Sequence, residues 1–79
     1  MTRYHLNLYN DTDIPDEEGQ DFPDLAAAEA EAVRGARDIV AEHVLSGRTI
    51  HLRHRMEIVD AAGVLRSTIR FGDVVRFEQ

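Results

Sequence analysis

The chain has 79 residues, 43% of them apolar, and a formal net charge of −6. That suffices for one small domain burying about 60% of the surface its unfolded chain exposes. No cysteine is present, which excludes disulfides, thiolate nucleophiles and Cys-ligated zinc together. The opening MTRYHLNLYNDTD has no apolar stretch of signal length, and no run approaches the ~18 apolar residues of a membrane span, so the expectation is a soluble, cytoplasmic chain with no membrane partner.

Residues 1 to 47 carry eleven acids against three arginines, and residues 48 to 79 carry four against six. The chain is electrically two-sided. All nine basic residues are arginine, a bias that with the alanine-rich middle suggests a GC-rich bacterial genome. Ordering such a chain costs on the order of 100 kcal/mol in conformational entropy, so a single small core leaves little surplus. Cover from a second copy over a sheet face or edge is a fair expectation.

In RYHLNLY, Tyr4, Leu6 and Leu8 alternate with Arg3, His5, Asn7 and Tyr9, the period-2 pattern of a half-buried strand. The stretch DTDIPDEEGQDFPD then places seven carboxylates and no base in fourteen positions. Within it, GQDFP reads as a short extended segment before Pro23. Asp24 stands where its side chain caps LAAAEAEAVRGARDIVAEHVLSG, a helix that Gly47 ends. Leu25, Ala28, Ala32, Ala36, Ile39, Val40 and Val44 form its apolar stripe. The alanines bury little area, so Leu25, Ile39, Val40 and Val44 are expected to anchor it.

TIHLRHRMEIVDAAGVLRSTIRF reads as a hairpin. A four-residue DAAG loop pairs Val59 with Val64 and gathers Leu52, Met56, Ile58, Leu65, Ile69 and Phe71 on one face. The other face then collects Arg53, Arg55, Glu57, Arg66, Thr68 and Arg70, with Glu57 beside Arg66. A three-residue loop shifts the register by one and sets Arg66 beside Ile58, so the apolar pattern prefers four. After Gly72, DVVRFEQ reads equally as a last strand or a frayed turn. The sum is an α+β, two-layer domain over residues 1–79: one helix on a three- to four-stranded, mainly antiparallel sheet, in the order β-[β]-α-β-β.

The opening RYHLNLYND, then DEEGQDFPDLAAAEAEAVRGARDIVAE, then MEIVDAAGVLRSTIRF resembles, over essentially the whole chain, a family of short alphaproteobacterial domains of unknown function. The matched positions are Arg3, Tyr4, Asp16, Glu18, Gly19, Pro23, Asp24, Leu25 and the turn from Asp60 to Gly63. His5 and Asn7 depart from the pattern, where aromatic residues are usual. The resemblance implies the fold and no activity. Phe22 to Leu25 ahead of an alanine-rich helix is also similar to the antitoxin halves of HicAB-type toxin–antitoxin pairs.

An EF-hand loop starting at Asp11 puts Pro15 fifth, Asp16 where glycine is needed and Phe22 where the last glutamate belongs, so a calcium loop is not expected. On a strand, His51 and His54 point to opposite sides and do not share one ion. Ser46 and Ser67 have neither a glycine-flanked elbow nor a placed base, and the five glycines are dispersed. No catalytic residue, metal or cofactor is therefore expected, and an enzyme ranks third among function classes. The first is a non-enzymatic protein–protein interaction module, self-association included, with Arg53, Arg55, Arg66 and Arg70 on one surface and Asp16, Glu17 and Glu18 on the other. The alternative is a nucleic-acid-binding or antitoxin-like regulator, disfavoured by the negative charge and by the few aromatics available for stacking.

Overall fold

The computed structural model describes residues 1–10 and 12–76. Five strands and one long helix follow in the order β1 (Thr2–Tyr9), β2 (Asp13–Ile14), β3 (Gln20–Phe22), α1 (Leu25–Ser46), β4 (Arg55–Asp60) and β5 (Leu65–Arg70). A 3-10 turn, Phe71–Asp73, follows β5. All pairings are antiparallel, and β1 and β4 are central. The outer edge of β1 is shared: β3 pairs with Thr2–Tyr4 and β2 with Leu8 and Tyr9. The expected GQDFP segment is β3, whereas β2 went unread because two residues are too few to show a period. Of DVVRFEQ, residues 73–76 form no strand and residues 77–79 lie outside the described part.

Tyr4, Leu6 and Leu8 of β1 and Met56 and Ile58 of β4 face the helix, as their alternation dictates. Asp24 accepts from the Ala27 amide at 2.9 Å and starts the helix, and Gly47 at φ 70° ends it. Of the expected anchors, Val40 is buried and Leu25 and Ile39 pack against the core, but Val44 does not hold the stripe. Ala28, Ala32 and Ala36 are completely buried, whereas Val44 is 62% exposed. The methyl side chains let the helix axis approach the sheet closely, so the contact lies under the alanine half. Val44, in the last turns, belongs to neither cluster of core residues. Tyr4, Phe22 and Ile58 fill one end of the core, and Val40, Phe71 and Val74 the other.

The hairpin corrects the expected register. Asp60 N–H donates to the Val64 carbonyl at 3.0 Å, closing a three-residue loop, Ala61 to Gly63, in which Gly63 adopts φ 83°. The one-residue shift feared for such a loop is cancelled by a bulge at Arg66: Val59 pairs with Leu65, but Ile58 pairs with Ser67. Parity on the core side is thereby restored, with Met56 opposite Ile69. Leu65, before the bulge, turns to the opposite face beside Val59 and is 51% exposed.

Asp60 organises this turn. Its carboxylate accepts from the Val64 and Ala62 amides, both at 3.0 Å, and from Arg66 at 3.4 Å. The Val64 amide above all, then the Ala62 amide and Arg66, hold its carboxyl below the ordinary aspartate value. A depressed folded-state pKa contributes stability that is present above the unfolded value and is lost as pH falls through the folded one. Asp60→Asn should therefore lower stability at neutral pH and flatten the acid limb of the stability curve. Urea midpoints between pH 7 and pH 2 check this; parallel curves for the two proteins would refute it.

Candidate interaction surface

The helix covers one face of the sheet, and no described helix or strand is layered on the other, where the turn at Asp16 is tied to His5 and Asn7 at the β1 edge. On that open face the register aligns side chains in rows across β1, β4 and β5. His5, Val59 and Leu65 form one row, Asn7, Glu57 and Thr68 the next, and Tyr9, Arg55 and Arg70 the third. Asp13 of β2 extends the third row beyond Tyr9, and Asp21 of β3 lies beside Arg3. Acids thus occupy the β2/β3 edge and arginines the β5 side.

The four arginines expected together are separated. Arg53 lies in the turn preceding β4 and is exposed, because β4 begins only at Arg55. Arg66 sits in the bulge and reaches Asp60 rather than Glu57. Arg55 and Arg70 remain, directly opposite one another on adjacent strands. The Arg55 guanidinium lies 4.6 Å over the Tyr9 ring and donates to Glu57 at 2.9 Å. Arg70 has no ion pair among the described residues. Tyr9, Asp13 and Leu65 belong to this surface and were missed. Alternation placed Tyr9 on the correct side of its strand, but only the β1–β4 pairing brings it to Arg55.

The acidic residues also divide. Asp16 is a structural anchor: its carboxylate accepts from the Leu6 amide at 3.2 Å and the Gly19 amide at 3.1 Å. Leu6 lies on the outer edge of β1 between the stretches paired with β3 and β2, so the carboxylate takes the place of a missing strand partner. The Asp16 backbone is held as well. Its amide donates to Asn7 Oδ1 at 2.8 Å, and His5 Nδ1 lies 2.6 Å from its carbonyl. A carbonyl only accepts, so Nδ1 carries the proton. Arg3 donates to the Glu18 carbonyl at 2.8 Å and to Asp21 at 3.2 Å. Gly19 has φ 71°, and a Cβ there would lie 2.9 Å from His5 Cε1 and 3.0 Å from the Tyr4 carbonyl oxygen, so a larger residue is strained and must displace His5. Glu17 and Glu18 keep exposed side chains.

His51 and His54 likewise lie outside a strand, and their rings stack with centroids 4.6 Å apart instead of pointing to opposite sides. Among the described residues, no three or more His, Cys, Asp or Glu side chains are grouped so as to hold a metal ion. No helix there is long and apolar enough to cross a membrane.

These features define a small α+β two-layer domain with one open, charge-segregated sheet face. The chain belongs to the family described as a domain of unknown function, DUF6894, whose model matches residues 3–72. Neither curated proteins nor solved structures gave a match. Within the chain, the Asp16, Glu18 and Gly19 motif has a structural account: a carboxylate closing the β1 edge, a carbonyl held by Arg3, and a position where a Cβ is strained.

Proposed function

We propose that the chain is a cytoplasmic, non-enzymatic protein–protein interaction module that docks an acidic protein surface on its open sheet face. The observation that carries this reading is the placement of Arg55 and Arg70 directly opposite one another on adjacent strands, with Glu57 of the next row bonded to Arg55. Like charges directly opposite one another repel. Carboxylates from a partner relieve that repulsion through bidentate hydrogen bonds. Tyr9, Val59 and Leu65 add apolar area beside the charge, the combination that stable protein interfaces use.

The same two arginines also support the alternative, a nucleic-acid-binding or antitoxin-like regulator. Less favours it: Arg53 lies outside the strands and Arg66 is tied to Asp60, Tyr9 is a lone stacking ring, and a phosphate backbone crossing the sheet meets Asp13 and Asp21.

In-cell cross-linking of the unaltered chain, the double variant Arg55→Ala/Arg70→Ala and the helix-surface control Glu42→Ala tests the reading. Protein adducts should form with the unaltered chain and the control and be lost from the double variant. An unchanged adduct profile overturns the reading. A low-salt gel shift of DNA or RNA abolished by the double variant replaces it with the alternative.

A further inference from the structure

Building on the docking reading, we infer that the occupant of the open face is a second copy of this chain, stacked face to face about a twofold axis parallel to the strands. The argument starts from one row of side chains. Asp13, Tyr9, Arg55 and Arg70 are register partners on the successive strands β2, β1, β4 and β5, so all four project from the same face in a line. The acid stands at one end and the free arginine at the other. A symmetric dimer needs a self-complementary patch, and this row is one. A twofold axis running between β1 and β4 along the strands exchanges β2 with β5 and β1 with β4. Asp13 then lies over Arg70 of the second copy, and Tyr9 lies over its Arg55. In the next row the same operation sets the Asn7 amide over the Glu57 carboxylate of the second copy. Beyond that, His5 lies over Val59. Two sheets meeting in this way pack about 10 Å apart with their strands nearly aligned.

Other ways of joining two copies fail on the same map. An axis across the strands lays β5 on β5 and the β2/β3 edge on itself, so Asp13 of one copy never meets Arg70 of the other. Edge-to-edge pairing through β5 meets the bulge at Arg66, which interrupts the hydrogen-bonding row. The opposite edge consists of the short strands β2 and β3 with Asp16 tied between them, which leaves no continuous row to extend. Among these sheet-mediated arrangements, the face offers the self-complementary surface.

Sedimentation equilibrium on the intact chain tests this. The unaltered chain should dimerise at low salt and dissociate in about 0.5 M NaCl, where screening shortens the reach of surface charges to a few ångström. Asp13→Arg and Arg70→Asp should each weaken dimerisation by about tenfold or more, because each converts two attractive contacts per dimer into repulsive ones. An equimolar mixture of the two variants should recover the dimer, since every Asp13 and Arg70 contact in the mixed pair is again of opposite sign. Both positions are exposed, and unchanged far-UV spectra will show that the fold is kept. An unaltered chain that stays monomeric at the highest attainable concentration and low salt overturns the inference. So does a dimer indifferent to salt and to both variants. A monomeric chain whose cross-linked adducts still vanish with Arg55→Ala/Arg70→Ala refutes the second copy and keeps the docking reading. Adducts unaffected by those changes refute both.

Discussion

Phe71→Ala is expected to lower stability by about 3–5 kcal/mol, the range for deleting a buried aromatic side chain. A chain of this length has about 4–12 kcal/mol in total, so much of the folded population goes with it. Phe71 is 1% exposed and is one of the two largest fully buried side chains. Its ring packs with Ala36 and Val40 of the helix and with Val74, and its amide donates to the His54 carbonyl at 2.8 Å. The three alanines of the helix stripe supply contact without volume, so the bulk at this end of the core has to come from the sheet side. Removing it leaves a cavity that methyl groups cannot fill. Phe71→Leu should recover part of the loss, since it retains most of the apolar volume. Urea denaturation followed by circular dichroism measures both variants. An alanine variant within 1 kcal/mol of the unaltered chain would contradict this picture of the core.

Asp16→Ala should cost about 1–3 kcal/mol, the penalty for stranding partly buried hydrogen-bonding groups. The Leu6 and Gly19 amides both lose their acceptor, and no neighbouring strand is placed to replace it for Leu6. Exchange of the Leu6 amide with solvent should accelerate more than that of Ile58 in the neighbouring core strand. Asp16→Asn should recover only part, because its NH2 group turns a donor toward one of the two amides. Hydrogen exchange read residue by residue separates this local opening from a general loss of stability. Equal acceleration at both amides would assign the effect to global unfolding instead.

This residue shows how a composition-based reading and the structure part company. Asp16, Glu17 and Glu18 read together as a surface, yet Asp16 closes a strand edge; elsewhere in the acidic stretch Asp24 caps the helix as expected and Asp21 pairs with Arg3. Asp24 was legible because a cap acts on amides three residues away. Asp16 was not, because it acts on Leu6, ten positions back along the chain and across a turn whose path no local pattern encodes. His5 and Asn7, which break the aromatic pattern of the family resemblance, hold the Asp16 backbone, a role visible only once the loop is folded onto β1.

The arginines divide for a similar reason. Alternation assigns each to a side of its own strand, and Arg55 and Arg70 follow it. Arg53 escapes because the strand starts at Arg55 and not at or before Leu52 as the apolar pattern suggests, and Arg66 because a bulge suspends the period at that residue.

What the amino-acid order determined by itself was everything governed by short range: the helix and both of its ends, the β1 alternation, the existence of the hairpin, and hence the α+β class. These follow from steric preference, capping and a hydrophobic period acting within a few residues. Strand neighbours, the hairpin's exact register and the composition of the open face were decided only by tertiary structure. Packing energy across the sheet chooses among registers that local preferences leave nearly equal, and that choice places Asp13, Tyr9, Arg55 and Arg70 in one row.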